Sequence, residues 1–149
     1  MDKLRNLLGL MLVLMLGMCS QANAHSARAI LDKKGTSPSF TALARVTCYD
    51  DGVGPAASLL VRIRDNSAPV AGLYLNLQLL KGTRAISITD TESGDADYSD
   101  YISLPAGNGV YSVILNHTRA GARDFDIEYH CITADDEHTG TDIVVDQFN

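Results

Sequence analysis

Tryptophan is absent from this 149-residue chain, and aromatic residues make up only 6% of it. A stacking platform for sugar rings therefore has little to be built from. Basic residues never cluster, which argues against nucleic acid and anionic lipid as partners. No apolar run of spanning length follows residue 24, so no transmembrane segment is expected beyond that point. Sustained helical periodicity, internal repeats and low-complexity tracts are missing as well. There is no Gly-x-Ser-x-Gly elbow, and no Ser, His and Asp fall in a motif context for nucleophilic catalysis. Nothing in the pattern selects two carboxylates as a glycosidase pair. These absences point to a protein that binds rather than catalyses.

What is present begins with an address. Lys3 and Arg5 precede an apolar run from Leu7 to Met18, followed by Ala22-Asn23-Ala24, the small-x-small pattern of a signal peptidase site. The expected cut after Ala24 makes His25 the first residue of a secreted or periplasmic domain. A rival reading is lipidation at Cys19, although Met18 fits poorly before a lipoprotein cysteine. The full chain holds 12 Lys and Arg against 18 Asp and Glu. The leader carries off Lys3, Arg5 and Asp2, leaving 10 against 17 and a net charge of −7. The remaining length suits one domain with a real core.

Cysteine is scarce. With Cys19 in the leader, only Cys48 and Cys131 remain, and an even pair in an exported chain reads as a disulfide. Phe40, Ala42, Ala44, Val46 and Cys48 share one parity, as do Phe125, Ile127, Tyr129 and Cys131. Each set is the dry face of a strand, so both sulfurs aim into a core. By the same parity His130 falls on a wet face. Further strands are expected at Leu59–Ile63, Leu73–Leu79, Ile86–Ile88, Tyr101–Leu104, Val110–Leu115 and Ile143–Val145, with turn residues between them. Val110–Leu115 is apolar at both parities, as for a central strand packed on two sides. Residues 25–37 read as a flexible N-terminal arm, 38–149 as the folded domain, and 133–142 as an exposed acidic turn. The predicted fold is all-β, a two-sheet sandwich of about seven strands with one disulfide.

Pro69, Val70 and Gly72, then Thr89, Asp90, Gly94 and Tyr98, then Leu104, Pro105, Gly107, Tyr111 and Val113 form a pattern over about a third of the chain. It resembles bacterial Ig-like or transthyretin-like modules of the carboxypeptidase-regulatory-like type. The spacing departs before Gly94, before Tyr98 and at Asn108-Gly109. The resemblance implies a β-sandwich used as a spacer, adhesive or binding accessory, with a protein or cell-surface component as partner.

Two groups of residues have metal-ligand character. Asp90, Glu92, Asp95 and Asp97 lie at calcium-like intervals around Gly94, but Tyr101 occupies the place where an EF-hand needs its bidentate Glu. The competing account makes Asp90 a turn cap in a polar connection. His25, once freed at its amino end, offers an α-amine and an imidazole on one residue. With His117, His130 or His138 these would make a histidine brace for copper, since amine and imidazole nitrogens suit Cu(II). Tyr74, Tyr98 and Tyr101 could present a contact platform to a partner. Asn116-His117-Thr118 matches a glycosylation sequon and reads as a strand end.

Overall fold

A computed structural model describes residues 25–149. The expected leader and Cys19 lie outside the described residues. Nine strands and no helix make up the described chain. They are β1 (His25–Leu31), β2 (Ala42–Tyr49), β3 (Ser58–Asp65), β4 (Leu75–Lys81), β5 (Arg84–Asp90), β6 (Ile102–Leu104), β7 (Gly109–His117), β8 (Arg123–Ile132) and β9 (His138–Phe148). All pairings are antiparallel. The strands follow one path, β5-β4-β7-β2-β9-β8-β3-β6, with β1 added to β8.

The all-β expectation and the Cys48–Cys131 disulfide are both present. The strand path, however, is continuous and nearly closed, like a barrel. One strand makes it so. β9 pairs with β8 through His138 and Thr139, then crosses to β2 from Gly140 onward. Gly140 sits at the crossing because a Cβ there would lie 2.4 Å from the Tyr49 ring.

Alternation places the core. Leu59, Val61 and Ile63 of β3, Leu75, Leu77 and Leu79 of β4, Tyr111 and Val113 of β7, and Val46 of β2 are all fully buried. Each stands at every second position, as a pleated strand with one dry face requires. Cys48 and Cys131 continue the same dry rows and join β2 to β8 across the core. On β7 the outer parity is only partly covered, and Val110 is 48% exposed. This corrects the expectation of a strand packed on both faces: β7 is central between β2 and β4, yet its second side faces solvent.

The segment expected as a loose arm is also corrected. His25–Leu31 pairs with β8 along its whole length, from His25 opposite Tyr129 to Leu31 opposite Arg123. The chain then turns at Asp32, whose carboxylate accepts N–H groups from Thr36, Ser37 and Gly121. The tight acidic turn covers only the residues before His138, where β9 begins.

Two seams remain in the near-closed sheet. At one, between β5 and β6, Arg84 donates to the Pro105 carbonyl and Lys81 to the Gly107 and Asn108 carbonyls. At the other, β1 and β9 separate as β9 leaves for β2. The gap there is an apolar cavity of about 290 Å³ lined by Ala27, Ala29, Ala42, Ala44, Phe125 and Ile143 among others. Small alanine side chains on both walls leave it unfilled.

Candidate functional site

β8 carries a row of polar residues on the face away from the core. Asp124, Asp126, Glu128 and His130 alternate there with the buried Phe125, Ile127, Tyr129 and Cys131. Neighbouring strands supply the opposite charge. Arg28 of β1 pairs with Asp124 at 2.5 Å, Arg64 of β3 with Asp126 at 2.5 Å, and Arg62 of β3 with Glu128 at 2.6 Å. The register dictates two of these pairs, since Arg62 lies opposite Glu128 and Arg64 opposite Asp126; such cross-strand pairs are natural neighbours.

The connection from β5 to β6 forms a roof over this row. Tyr98 makes an isolated bridge to Arg64. The Arg62 guanidinium lies between the rings of Tyr98 and Tyr101, 4.2 and 4.4 Å from their centres. A planar cation stacked on aromatic faces is held in one orientation. The roof explains a further correction. His130 has the parity of a wet face, but is only 5% exposed.

Glu128 organises the end of the row. Its Oε2 accepts from Arg62 Nη2 and Nε at 2.6 and 3.0 Å. Its Oε1 accepts from the Tyr101 hydroxyl and lies 2.9 Å from His130 Nε2. Burial opposes ionisation of Glu128, but donors from Tyr101, His130 and Arg62 outweigh it and hold its pKa down at about 2. Burial and the bond to Glu128 push the Tyr101 hydroxyl up to about 12. Burial lowers the pKa of His130; Glu128 opposes this, and the neighbouring His138 and His25 add to the lowering.

These bonds fix the His130 tautomer. A carboxylate already receiving a guanidinium and a hydroxyl can only accept, so Nε2 of His130 carries the hydrogen. Nδ1 is then the lone-pair nitrogen of the neutral ring. It is buried and has no hydrogen-bond partner. An unpaired buried polar atom in an otherwise satisfied network calls for an explanation.

Two other histidines lie beside it. The His138 ring is centred 4.4 Å from that of His130, and the His25 ring 6.5 Å from it at an interplanar angle of 64°. His25 also packs 5.8 Å from Tyr129, and its Nδ1 is likewise buried without a partner. A pocket of about 380 Å³ opens beside His130 and His138, lined by these two with Leu60, Tyr101, Glu128, Ile132 and Asp136, and not by His25. The grouping follows from topology. β1 and β9 occupy the same flank of β8, with His25 facing Tyr129, Thr139 facing Cys131 and His138 facing Ile132. Nothing local in the sequence signals that residues 25, 130 and 138 meet.

The other candidates are dispersed. His117 ends β7 beside Asp32, at the opposite end of β1 from His25; its Nε2 is 3.7 Å from Asp32 Oδ2. Asp90 is buried at the end of β5, where its Oδ1 accepts from the Glu92 N–H. Burial raises its pKa, an effect the bond from Glu92 opposes and nearby Asp95 and Asp65 reinforce. Asp95 caps its own turn through the Asp97 N–H, while Glu92 and Asp97 are exposed. Gly94 is pressed against the 67–69 backbone, with φ +69 and a notional Cβ 2.3 Å from the Ser67 carbonyl oxygen. The bonds that Asp90 and Asp95 make are those of turn caps. Among the described residues, no three His, Cys, Asp or Glu side chains form a ready metal cage. Nor, among the described residues, is any helix long and apolar enough to cross a membrane.

Comparisons with protein-family models, curated proteins and solved structures find no match.

Proposed function

We propose that this chain is an exported, non-catalytic binding protein whose ligand is a transition-metal ion, taken up at the cluster of His25, His130 and His138. The observation that carries the reading is the His130 ring. It is buried, oriented by a carboxylate through Nε2, and left with a partnerless Nδ1, and two further imidazole rings lie near it. Metal-binding histidines commonly hold their second nitrogen against a carboxylate in this way, and neutral imidazole suits copper, zinc and nickel. Export is supported by the leader pattern before His25 and by the disulfide.

The finer fold we propose is a two-layer, Ig-like or transthyretin-like sandwich. It is supported by the strand path, in which β1, β8, β3 and β6 lie on one side of β9 and β5, β4, β7 and β2 on the other. Nuclear Overhauser contacts joining β1 to β9 along their lengths would make it a closed barrel instead.

The functional reading is tested on protein purified from the exported fraction with its disulfide intact. Cu(II), Zn(II), Ni(II) and Ca(II) are titrated separately while thermal unfolding is followed. A specific ion at 100 times its Kd adds about 2.7 kcal/mol to stability, which raises the melting temperature measurably. At least one transition ion is expected to do so. The reading fails if no transition ion does.

A further inference from the structure

We infer that removal of the leader after Ala24 completes a Cu(II) site in which the freed α-amino nitrogen and Nδ1 of His25 act together with Nδ1 of His130. This inference rests on the metal-binding reading above and assigns its ion, its donors and its activating event. Glu128 is the positioning residue, because it holds the His130 ring through Nε2 without touching the metal. His138 stands beside the same ring.

Three observations carry the assignment. The first is spacing. A nitrogen donor ~2 Å from a metal puts the centre of its ring ~3 Å from it, so two imidazoles on opposite sides of one ion are centred ~6 Å apart. The His25 and His130 rings are 6.5 Å apart. The His130 and His138 rings, at 4.4 Å and 31° from parallel, are spaced as a stacked pair and not as trans ligands. The second is the identity of the free atoms. Chelation by a terminal histidine uses its amine and its Nδ1 together, because only that nitrogen lies near its own backbone. Nδ1 is the buried, partnerless nitrogen of His25, and Nδ1 is again the partnerless nitrogen of His130.

The third is where the new chain end falls. His25 faces Tyr129 and Thr139 faces Cys131 on the same flank of β8. The place facing His130 is therefore the junction between the two strands, and an amine on His25 begins at that junction. In the uncleaved chain the same nitrogen is an amide, a poor donor. Two side chains alone make no cage; the third donor exists only after processing. Three nitrogen donors, two of them imidazoles, match the tetragonal preference of Cu(II), which also stands highest among divalent ions for such ligands.

The experiment compares two disulfide-intact proteins that both begin at His25, one with a free α-amine and one with that amine acetylated. Each is titrated with Cu(II) against a chromophoric chelator, and the copper-loaded protein is examined by electron paramagnetic resonance. The free-amine form is expected to bind one Cu(II) with a tetragonal spectrum showing coupling to three nitrogens. The acetylated form is expected to bind at least roughly tenfold more weakly. Glu128→Gln should weaken binding by roughly 10- to 100-fold, and His130→Ala should reduce the coupled nitrogens to two.

Equal affinity in the acetylated form overturns the inference and leaves the histidine-cluster reading standing. No response of either form to any transition ion overturns both. Undiminished affinity in a folded His130→Ala variant overturns the inference by making the site a terminal chelate alone. If that variant does not fold by circular dichroism, Glu128→Gln decides, and unchanged affinity there overturns it.

Discussion

Asp65 and Arg123 form a deeply buried ion pair, with side chains 1% and 3% exposed. Arg123 Nη1 lies 3.2 Å from Asp65 Oδ2, 2.9 Å from the Ala68 carbonyl and 3.4 Å from Ser93 Oγ. It thereby ties β8 to the end of β3 and to both loops that wrap Gly94. Replacing Asp65 with Ala removes the one carboxylate that, among the described residues, is hydrogen-bonded to the guanidinium, and leaves a cation out of water. Breaking one side of a buried pair costs roughly 3–5 kcal/mol, and Asp65 also accepts from the Ser67 N–H, so Asp65→Ala should lie toward the upper end. That is a large share of the 5–15 kcal/mol typical of a whole domain. Arg123→Met removes the charge and keeps most of the bulk, and the double variant Asp65→Ala/Arg123→Met removes both charges. The double variant should be markedly less destabilised than Asp65→Ala alone, because no unpaired cation remains. Urea unfolding of the oxidised domain, read as a double-mutant cycle, supplies all three values. If Asp65→Ala cost less than about 1 kcal/mol, or if the two single losses simply added, the argument from an uncompensated buried charge would be refuted.

Acid should weaken the metal-free protein in a defined window. Glu128 has its folded pKa held at about 2 against an ordinary 4.5, and Asp124 and Asp126 are also lowered, Asp124 by Arg28 and Asp126 by Arg64 and Asn66. A carboxyl whose folded pKa is depressed contributes stability above its unfolded value and loses it as pH falls toward the folded one. The Glu128 share is about 3 kcal/mol at most. His130, lowered by burial, adds a loss as pH drops below its ordinary 6.5, whereas Asp90, raised by burial, works in the opposite direction. Urea midpoints measured with chelator present should therefore fall most steeply between about pH 4.5 and 2, and Glu128→Gln should flatten that limb; an unchanged slope would refute the role given to Glu128. Reducing Cys48–Cys131, which closes a loop of sequence separation 83, should cost about 4–5 kcal/mol on the chain-entropy model. A denaturant midpoint unchanged by reductant would contradict it.

Much of this architecture is written in parity. Every second residue of Leu59–Ile63, Leu75–Leu79 and Phe125–Cys131 is apolar, and a pleated strand sends such residues to one side. That suffices to predict strands, a core and two sulfurs pointing into it. Parity says which side of its own strand a residue takes, but not what covers that side. The sequence could therefore place His130 away from the core without revealing that Tyr98, Tyr101 and the arginines of β3 enclose it. Nor could it pair His25–Leu31 with β8, because Ser26, Ala27, Arg28 and Ala29 carry little apolar signal and the strand is held by backbone bonds to a neighbour a hundred residues away.

The sequence alone determined the strand periodicity, the inward cysteines, the acidic charge and the histidine expected to head the processed chain, because each of these is a property of a residue and its near neighbours. Tertiary structure alone decided that β9 serves both halves of the sheet, that β1 and β9 share one flank of β8, and that histidines 25, 130 and 138 meet there while 117 does not. Those outcomes depend on which distant backbones exchange hydrogen bonds, and that choice is made by the packing of the whole chain.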